Sequence, residues 1–242
     1  MKPYYADDLV TLHLGDCREV LPALNITADC IVADPPYGET ALPWDRWPDD
    51  WLDVAATVTR SLWCFGSLRM FLDRRDEFAG WRLSQDVIWE KHNGSGLRND
   101  RFKRVHEQPA HWYRGDWGGV YHETPTTADE TAKTLRHKSK PLHWKDSGEY
   151  ASEDGGPRLM RSVIAVRSMH GRAIHPTEKP TGILTPLIAY ACPTGGLVVD
   201  PFAGSGSTLD AARAAGRRAI GVEIDERYCE TAARRLSQMV LV

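Results

Sequence analysis

The stretch Gly196-Leu-Val-Val-Asp200 is a short apolar run that ends in an acid, and the glycine-bearing turn Ala203-Gly204-Ser205-Gly206 follows it. A run of that length suits a strand buried in a parallel sheet. Ser207 to Ala215 then carries Leu209, Ala212 and Ala215 on one helix face, with Ser205 or Ser207 placed as N-cap and Gly216 as the C′ glycine. Ala219 to Ile224 reads as the next strand and Glu226 to Met239 as a helix. This is a βαβ unit opened by a Gly-rich turn.

The N-terminal part repeats the pattern. Ala28 to Ala33 is an apolar strand ending at Asp34, where two prolines break it. A helix is expected from about Trp51 to Leu62, a third strand over Cys64 to Leu72 and a fourth over Val87 to Glu90. Strands alternating with helices predict an α/β fold with a doubly wound, mostly parallel sheet. The expected organisation is a first half of the core over residues 1–92, a small irregular basic insertion over 93–172, and a second half over 173–242.

Composition narrows the function classes. With 42% hydrophobic and 26% charged residues, the 242-residue chain is neither disordered nor fibrous. No stretch reaches the roughly 18–20 apolar residues of a membrane span, and the N-terminus lacks the basic-then-apolar pattern of a signal peptide. The five cysteines, Cys17, Cys30, Cys64, Cys192 and Cys229, form no CxxC pair. That argues against a disulfide framework or zinc knuckle and for a reducing, cytoplasmic setting, with each thiol a small buried hydrophobe.

The net charge of -3 hides an asymmetry: residues 91–145 hold eleven Lys or Arg against six Asp or Glu, and six of the nine histidines. Such a segment is either a solvated face or a basic face on an acidic body that meets nucleic acid.

Two segments carry chemistry. Asp200-Pro-Phe-Ala-Gly204-Ser-Gly206-Ser sits where a doubly wound sheet binds ligands, and Glu223 closes the following strand, 23 residues after Asp200, a spacing suited to ribose hydroxyls. The pattern departs from GxGxxG, and Asp200 suits a cofactor with a cationic end better than a pyrophosphate. A Gly-rich turn with structural acids is the competing reading. In Asp34-Pro35-Pro36-Tyr37-Gly38, the prolines remove two N–H donors, leaving carbonyls and a carboxylate beside an aromatic ring. That acceptor-rich surface suits a planar group bearing an exocyclic amine. A Pro-Pro turn with Tyr37 as packing is equally compatible.

The pair DPPY and DPFAGSGS resembles the amino-group DNA methyltransferases that use S-adenosylmethionine, and its order, catalytic element first, resembles their permuted beta subgroup. Supporting elements are Leu14-Gly15-Asp16, Trp89-Glu-Lys91, Arg101-Phe-Lys-Arg-Val-His106-Glu107, His175-Pro-Thr-Glu-Lys179-Pro180 and Gly221-Val-Glu223. The glycine loop ends Gly206-Ser207-Thr208 where the family usually has two threonines.

The resemblance implies a Rossmann-like methyltransferase sheet. It implies that Asp34 and the Pro35 carbonyl, within Asp34, Pro35, Pro36 and Tyr37, hold a target amine while Tyr37 stacks on the base. It places S-adenosylmethionine on Asp16, Lys179, Asp200, Phe202, Gly204, Ser205, Gly206 and Glu223, with Lys179 reaching its carboxylate and Phe202 packing on its methionine part. Arg98, Arg101, Lys103 and Arg104 are expected on the backbone of double-stranded DNA. Glu107 is expected to anchor that loop, and His106 with His111 is poorly placed to hold a metal. The implied reaction is methylation of adenine N6, with cytosine N4 as the alternative and RNA or a protein amide as less favoured substrates. The sequence leaves open a homodimer, a companion restriction enzyme and the recognition site.

Overall fold

The computed structural model describes residues 2–39, 45–95, 100, 102–128, 157–168 and 178–238. In chain order the first elements are β1 (Tyr5–Ala6), β2 (Val10–Leu14), α1 (Cys17–Leu24), β3 (Cys30–Ala33), α2 (Trp51–Val58), β4 (Ser61–Cys64) and α3 (Leu68–Asp73). Then come β5 (Arg82–Asp86), β6 (Ile88–Ser95), β7 (Arg104–Glu107), β8 (Ala110–Tyr113), a 3-10 turn at Trp117–Gly119, β9 (Thr126–Ala128), β10 (Pro157–Leu159) and β11 (Val163–Ala165). The last are α4 (Thr181–Ala191), β12 (Leu197–Asp200), α5 (Ser207–Ala214), β13 (Arg218–Glu223) and α6 (Glu226–Gln238).

The chain divides into two compact units, residues 1–123 with 162–242, and residues 124–161. In the smaller, β9 and β10 pair antiparallel. In the larger, an eight-stranded sheet runs β1-β2-β13-β12-β3-β4-β8-β5, and a second sheet runs β11-β6-β7. From β2 to β4 all neighbours are parallel. The outer pairs β1–β2, β4–β8 and β8–β5 are antiparallel. This is the expected doubly wound, mostly parallel α/β sheet.

Alternate side chains along each central strand serve opposite faces, as strand geometry requires. Cys30, Val32, Trp63 and Val198 join the core under α4, α5 and α6, with Ile183, Leu187, Leu209, Ala232 and Leu236. Ile31, Ala33, Leu62, Leu197 and Val199 join the core under α1, α2 and α3, with Val20, Leu21, Trp51, Leu52 and Met70. Burial on both faces is why these strands read as continuous apolar runs. Gly221 permits one close contact, since a Cβ there would lie 2.6 Å from Leu209 Cδ1 of α5.

Several boundaries differ from expectation. The helix begun at Trp51 stops at Val58, and β4 already occupies Ser61–Cys64. Cys64 to Leu72 is therefore not a strand. Leu68, Met70 and Leu72 alternate as in a strand, yet the Ser67 hydroxyl accepts from the Met70 N–H at 3.0 Å and caps a helix instead. The N-cap of α5 is Gly206, at φ 79°, with no side-chain cap, so neither Ser205 nor Ser207 serves. Gly216, at φ 72°, does end α5: its N–H donates to the Arg213 carbonyl and the Arg217 N–H to the Ala212 carbonyl, a Schellman pair. β8 falls within the 93–172 stretch read as an insertion yet pairs in the main sheet. Among the described residues, no helix is long and apolar enough to cross a membrane, and all five cysteines are free and buried.

Candidate active site

The chain leaves β12 through α5 to β13 on one side, and leaves β3 through α2 to β4 on the other. The winding reverses between β12 and β3, which opens a crevice at their carboxyl ends, the place where such sheets bind ligands. Asp200 ends β12 and Asp34 follows β3, so the two sequence elements meet at this point.

On the β12 side, Asp200 is 3% exposed. Its Oδ1 accepts from the Phe202 N–H at 3.0 Å, and Thr208 also hydrogen-bonds to it. Burial, with the nearby Asp34 and Glu223 charges adding to it, pushes Asp200 up to about 7. The Phe202 ring meets Trp51 edge-on at 5.2 Å. Gly204, at φ 51°, donates its N–H to Glu223 Oε2 at 2.8 Å, and Asp225 N–H donates to Glu223 Oε1 at 2.8 Å. Burial raises Glu223 above the usual carboxylate range, against those backbone donors. Ser205 is turned inward, its Oγ 3.4 Å from Ser207 Oγ and 3.3 Å from Arg235 Nη1. Arg235 also binds Ser207 Oγ at 2.9 Å and Glu178 at 2.5 Å. The Gly15 N–H donates to the Glu223 carbonyl at 2.9 Å and so carries Asp16 to the same rim. Asp16 caps α1 by accepting from the Arg18 N–H at 2.9 Å, and the Arg18 side chain bonded to it holds its pKa low.

On the β3 side, Tyr37 Oη donates to Asp34 Oδ1 at 2.6 Å. Burial foremost, with the Asp34 charge beside it, pushes the Tyr37 phenol well up. Lys179 Nζ binds Asp34 Oδ2 and lies 3.2 Å from Glu107 Oε2, while Lys91 Nζ binds Glu107 Oε1. Pro35 is buried, Pro36 partly so, and the Pro35 carbonyl accepts no hydrogen bond from the described residues. Gly38, at φ 72°, donates its N–H to Asp45 Oδ1 at 2.8 Å.

Lys179 therefore stands on the Asp34 carboxylate, a contact the expected role at the cofactor's carboxylate did not include. Glu107, expected to anchor a loop, lies between Lys91 and Lys179. The ion chain Lys91, Glu107, Lys179 and Asp34 was not foreseen. Its one signal in the sequence is opposite charges in three separate motifs, Trp89-Glu-Lys91, His106-Glu107 and Glu178-Lys179.

Of the expected DNA contacts, Arg98 and Arg101 lie outside the described residues. Lys103 is exposed, and Arg104 pairs with Glu39 at 3.1 Å while Glu39 also accepts from Ser67 Oγ. A cleft beside this pair is lined by Gly66, Ser67, Arg69, Arg104, His106 and Gln108. Among the described residues no cluster of three metal-ligating side chains occurs. His111 is committed elsewhere, between Ser61 Oγ at 2.9 Å and Ser84 Oγ at 2.6 Å.

A doubly wound sheet with an acid–glycine turn and a DPPY turn facing each other at its switch point is the architecture of the Rossmann-like methyltransferases. The solved structure of M1.HpyAVI with SAM has this fold, at TM-score 0.65 and 21% identity over 94% of this chain and 100% of that one. So does the cytosine-N4-specific PvuII DNA methyltransferase, at TM-score 0.64 and 16% identity over 97% and 88%. Residues 28–234 match the N6/N4 DNA methylase family, and the chain belongs to it. It is similar to the type II methyltransferase M.HinfI of Haemophilus influenzae, 27% identical over 99% of this chain and 71% of that protein. It is likewise similar to the type II methyltransferase M.ScaI of Streptomyces caespitosus, 26% identical over 97% and 84%.

Proposed function

We propose that this DNA methylase uses S-adenosylmethionine to methylate the exocyclic N6 of an adenine rotated out of duplex DNA. The observation that carries the reading is the meeting of Asp34 and Asp200 at the ends of adjacent strands, an amine acceptor beside a cofactor acid.

The residues fit that cofactor. Asp200 is buried and makes no ion pair among the described residues, so a cationic ligand group supplies what the carboxylate lacks. Glu223 accepts from the backbone N–H groups of Gly204, Asp225 and Ile224, and its carboxylate keeps acceptor capacity for a ribose hydroxyl. Phe202 and the glycine turn, with Asp16 at the rim, complete the surface. When bound, S-adenosylmethionine supplies a methyl group on a cationic sulfur.

The exocyclic amine is a weak nucleophile because its lone pair delocalises into the ring. Asp34 Oδ1 and the Pro35 carbonyl each accept one of its N–H groups, which draws nitrogen toward a tetrahedral shape and aims the lone pair. Tyr37 stacks on the base. After nitrogen has taken the methyl, its surplus proton passes to Asp34 and on to water. Positioning and electrostatics supply most of the acceleration. Rotating the base out costs a few kcal/mol, offset by the stacking and the two acceptors. Lys103 and Arg104, with Arg98 and Arg101, bind the phosphate backbone and give affinity rather than sequence.

The leading Asp of DPPY favours adenine over cytosine N4, since relatives that act on cytosine more often carry Ser there. The fold shared with a cytosine-N4-specific enzyme keeps that second reading in the test. Labelled methyl transfer from S-adenosylmethionine to unmethylated duplex, followed by nucleoside mass spectrometry, decides it. N6-methyladenine that disappears in Asp34→Ala is the expected result. N4-methylcytosine overturns the base assignment, and unlabelled DNA overturns the substrate.

A further inference from the structure

The mechanism above uses both acids at the strand ends and leaves the buried ion chain behind Asp34 without a task. Lys179 is 7% exposed, with its Nζ 5.2 Å from the centre of the Phe65 ring and bound to both Asp34 and Glu107. Burial works against the Lys179 charge, yet the Asp34 and Glu107 carboxylates outweigh it and hold the lysine above its ordinary value. Burial likewise works against the Glu107 charge, and Lys179 and Lys91 outweigh that and hold it low. Ammonium and carboxylate groups alternate along this chain, in a place where an unpaired charge would be costly.

Asp34 has two oxygens, and the lysine takes Oδ2. The remaining one, Oδ1, faces the Tyr37 hydroxyl, a donor of the same kind as an amine N–H, at 2.6 Å. We propose, on the reading of function given above, that Lys179 is a positioning residue: held by Glu107, it fixes Asp34 Oδ2 so that Oδ1 alone receives the exocyclic amine, where the Tyr37 hydroxyl now sits. Glu107 ends β7, the strand that Arg104 begins, and Lys91 lies on its partner β6. The strand that carries a phosphate-binding cation at one end thus orients the catalytic carboxylate from the other.

The test uses the whole protein with Lys179→Met, Lys179→Arg and Glu107→Gln. Transfer kinetics on duplex DNA are read with calorimetric binding of S-adenosylmethionine and the Asp34 carboxyl carbon resonance in the protein alone. Lys179→Met is expected to lower kcat about 100-fold, the scale of a misplaced reacting group, with KM for DNA within about threefold. Cofactor affinity stays the same, and Lys179→Arg recovers most of the rate. Glu107→Gln, which reads the same effect if Lys179→Met does not fold, lowers kcat about tenfold. The Asp34 resonance moves in Lys179→Met and Glu107→Gln.

Loss of cofactor affinity with kcat intact at saturating cofactor overturns the inference and returns Lys179 to the cofactor. An unmoved resonance with unchanged kcat also overturns it. A wild-type protein inert on DNA whose Asp34 resonance still responds upholds the positioning role and overturns the reading of function instead.

Discussion

The Tyr37 hydroxyl and Asp34 Oδ1 are joined by a hydrogen bond of 2.6 Å, so the tyrosine proposed to stack on the target base also covers the atom proposed to bind it. Admission of the base breaks this bond. Tyr37→Phe keeps the ring and removes the competitor, and is expected to lower KM for duplex DNA about threefold with kcat little changed. Tyr37→Ala loses the stacking surface, worth about 1–3 kcal/mol per base, and is expected to raise KM at least tenfold. Steady-state methylation of one duplex checks both, and a KM in Tyr37→Phe above wild type contradicts the competition.

Asp200 gives a pH signature. The folded protein keeps its proton up to about pH 7, the unfolded chain only to about 4. The stability that this group contributes is therefore full below about pH 4 and is lost as pH rises through about 7. Asp200→Asn is expected to melt higher than wild type at pH 8 without cofactor, with the gap closing toward pH 4. Its affinity for S-adenosylmethionine should fall about tenfold or more, the weight of a hydrogen bond to a charged group. Thermal melts across pH and calorimetry measure the two effects.

His111 has the opposite sign. Burial, with His122 adding to it, pushes it down to about 3, so it stays neutral between two serines. The unfolded chain takes up that proton from about pH 6.5 downward. The stability it contributes is present above that pH and lost as pH falls toward 3. His111→Gln is expected to flatten the acid side of the stability curve while costing about 1–3 kcal/mol at pH 7.5 through the serine left without a partner. Urea unfolding at pH 5 and 7.5 separates the terms.

Arg104 meets the Glu39 carboxylate at 3.1 Å, and on the proposed function a DNA phosphate competes for that arginine. Glu39→Gln is expected to tighten duplex binding severalfold at low salt. Arg104→Ala is expected to weaken it on any sequence and to reduce the slope of log affinity against log salt by about one. Binding titrations from 50 to 200 mM salt read both, and a slope unchanged in Arg104→Ala removes the arginine from the phosphate contacts.

The central strands were legible because both faces are buried and apolar runs mark them. β5 and β8 were not: the edge strand Arg82–Asp86 is exposed on much of its length and carries no such run, and β8, though interior, places a buried His111 in its short Ala110–Tyr113 stretch. The cap at Ser67 escaped because the apolar alternation around it imitates a strand. Asp34, Asp200 and Glu223 could be picked out because each ends an apolar strand. The partners of Asp34 could not, because Lys91, Glu107 and Lys179 are far apart in sequence and meet only after β6, β7 and the segment before α4 have packed.

The seam between β3 and β12 has a consequence for the order of events during synthesis. Asp29 N–H donates to the Leu197 carbonyl at 3.0 Å, and Leu197 N–H returns to Asp29 Oδ2 at 2.7 Å, across 168 residues. Asp34 leaves the ribosome early but has no neighbour at the switch point until β12 arrives. A growing chain that has passed only β11 therefore carries the Asp34 turn without the Asp200 turn that faces it. Such late, long-range closure slows folding, because the β3–β12 seam cannot form before the chain between its two partners, 168 positions apart, has been made.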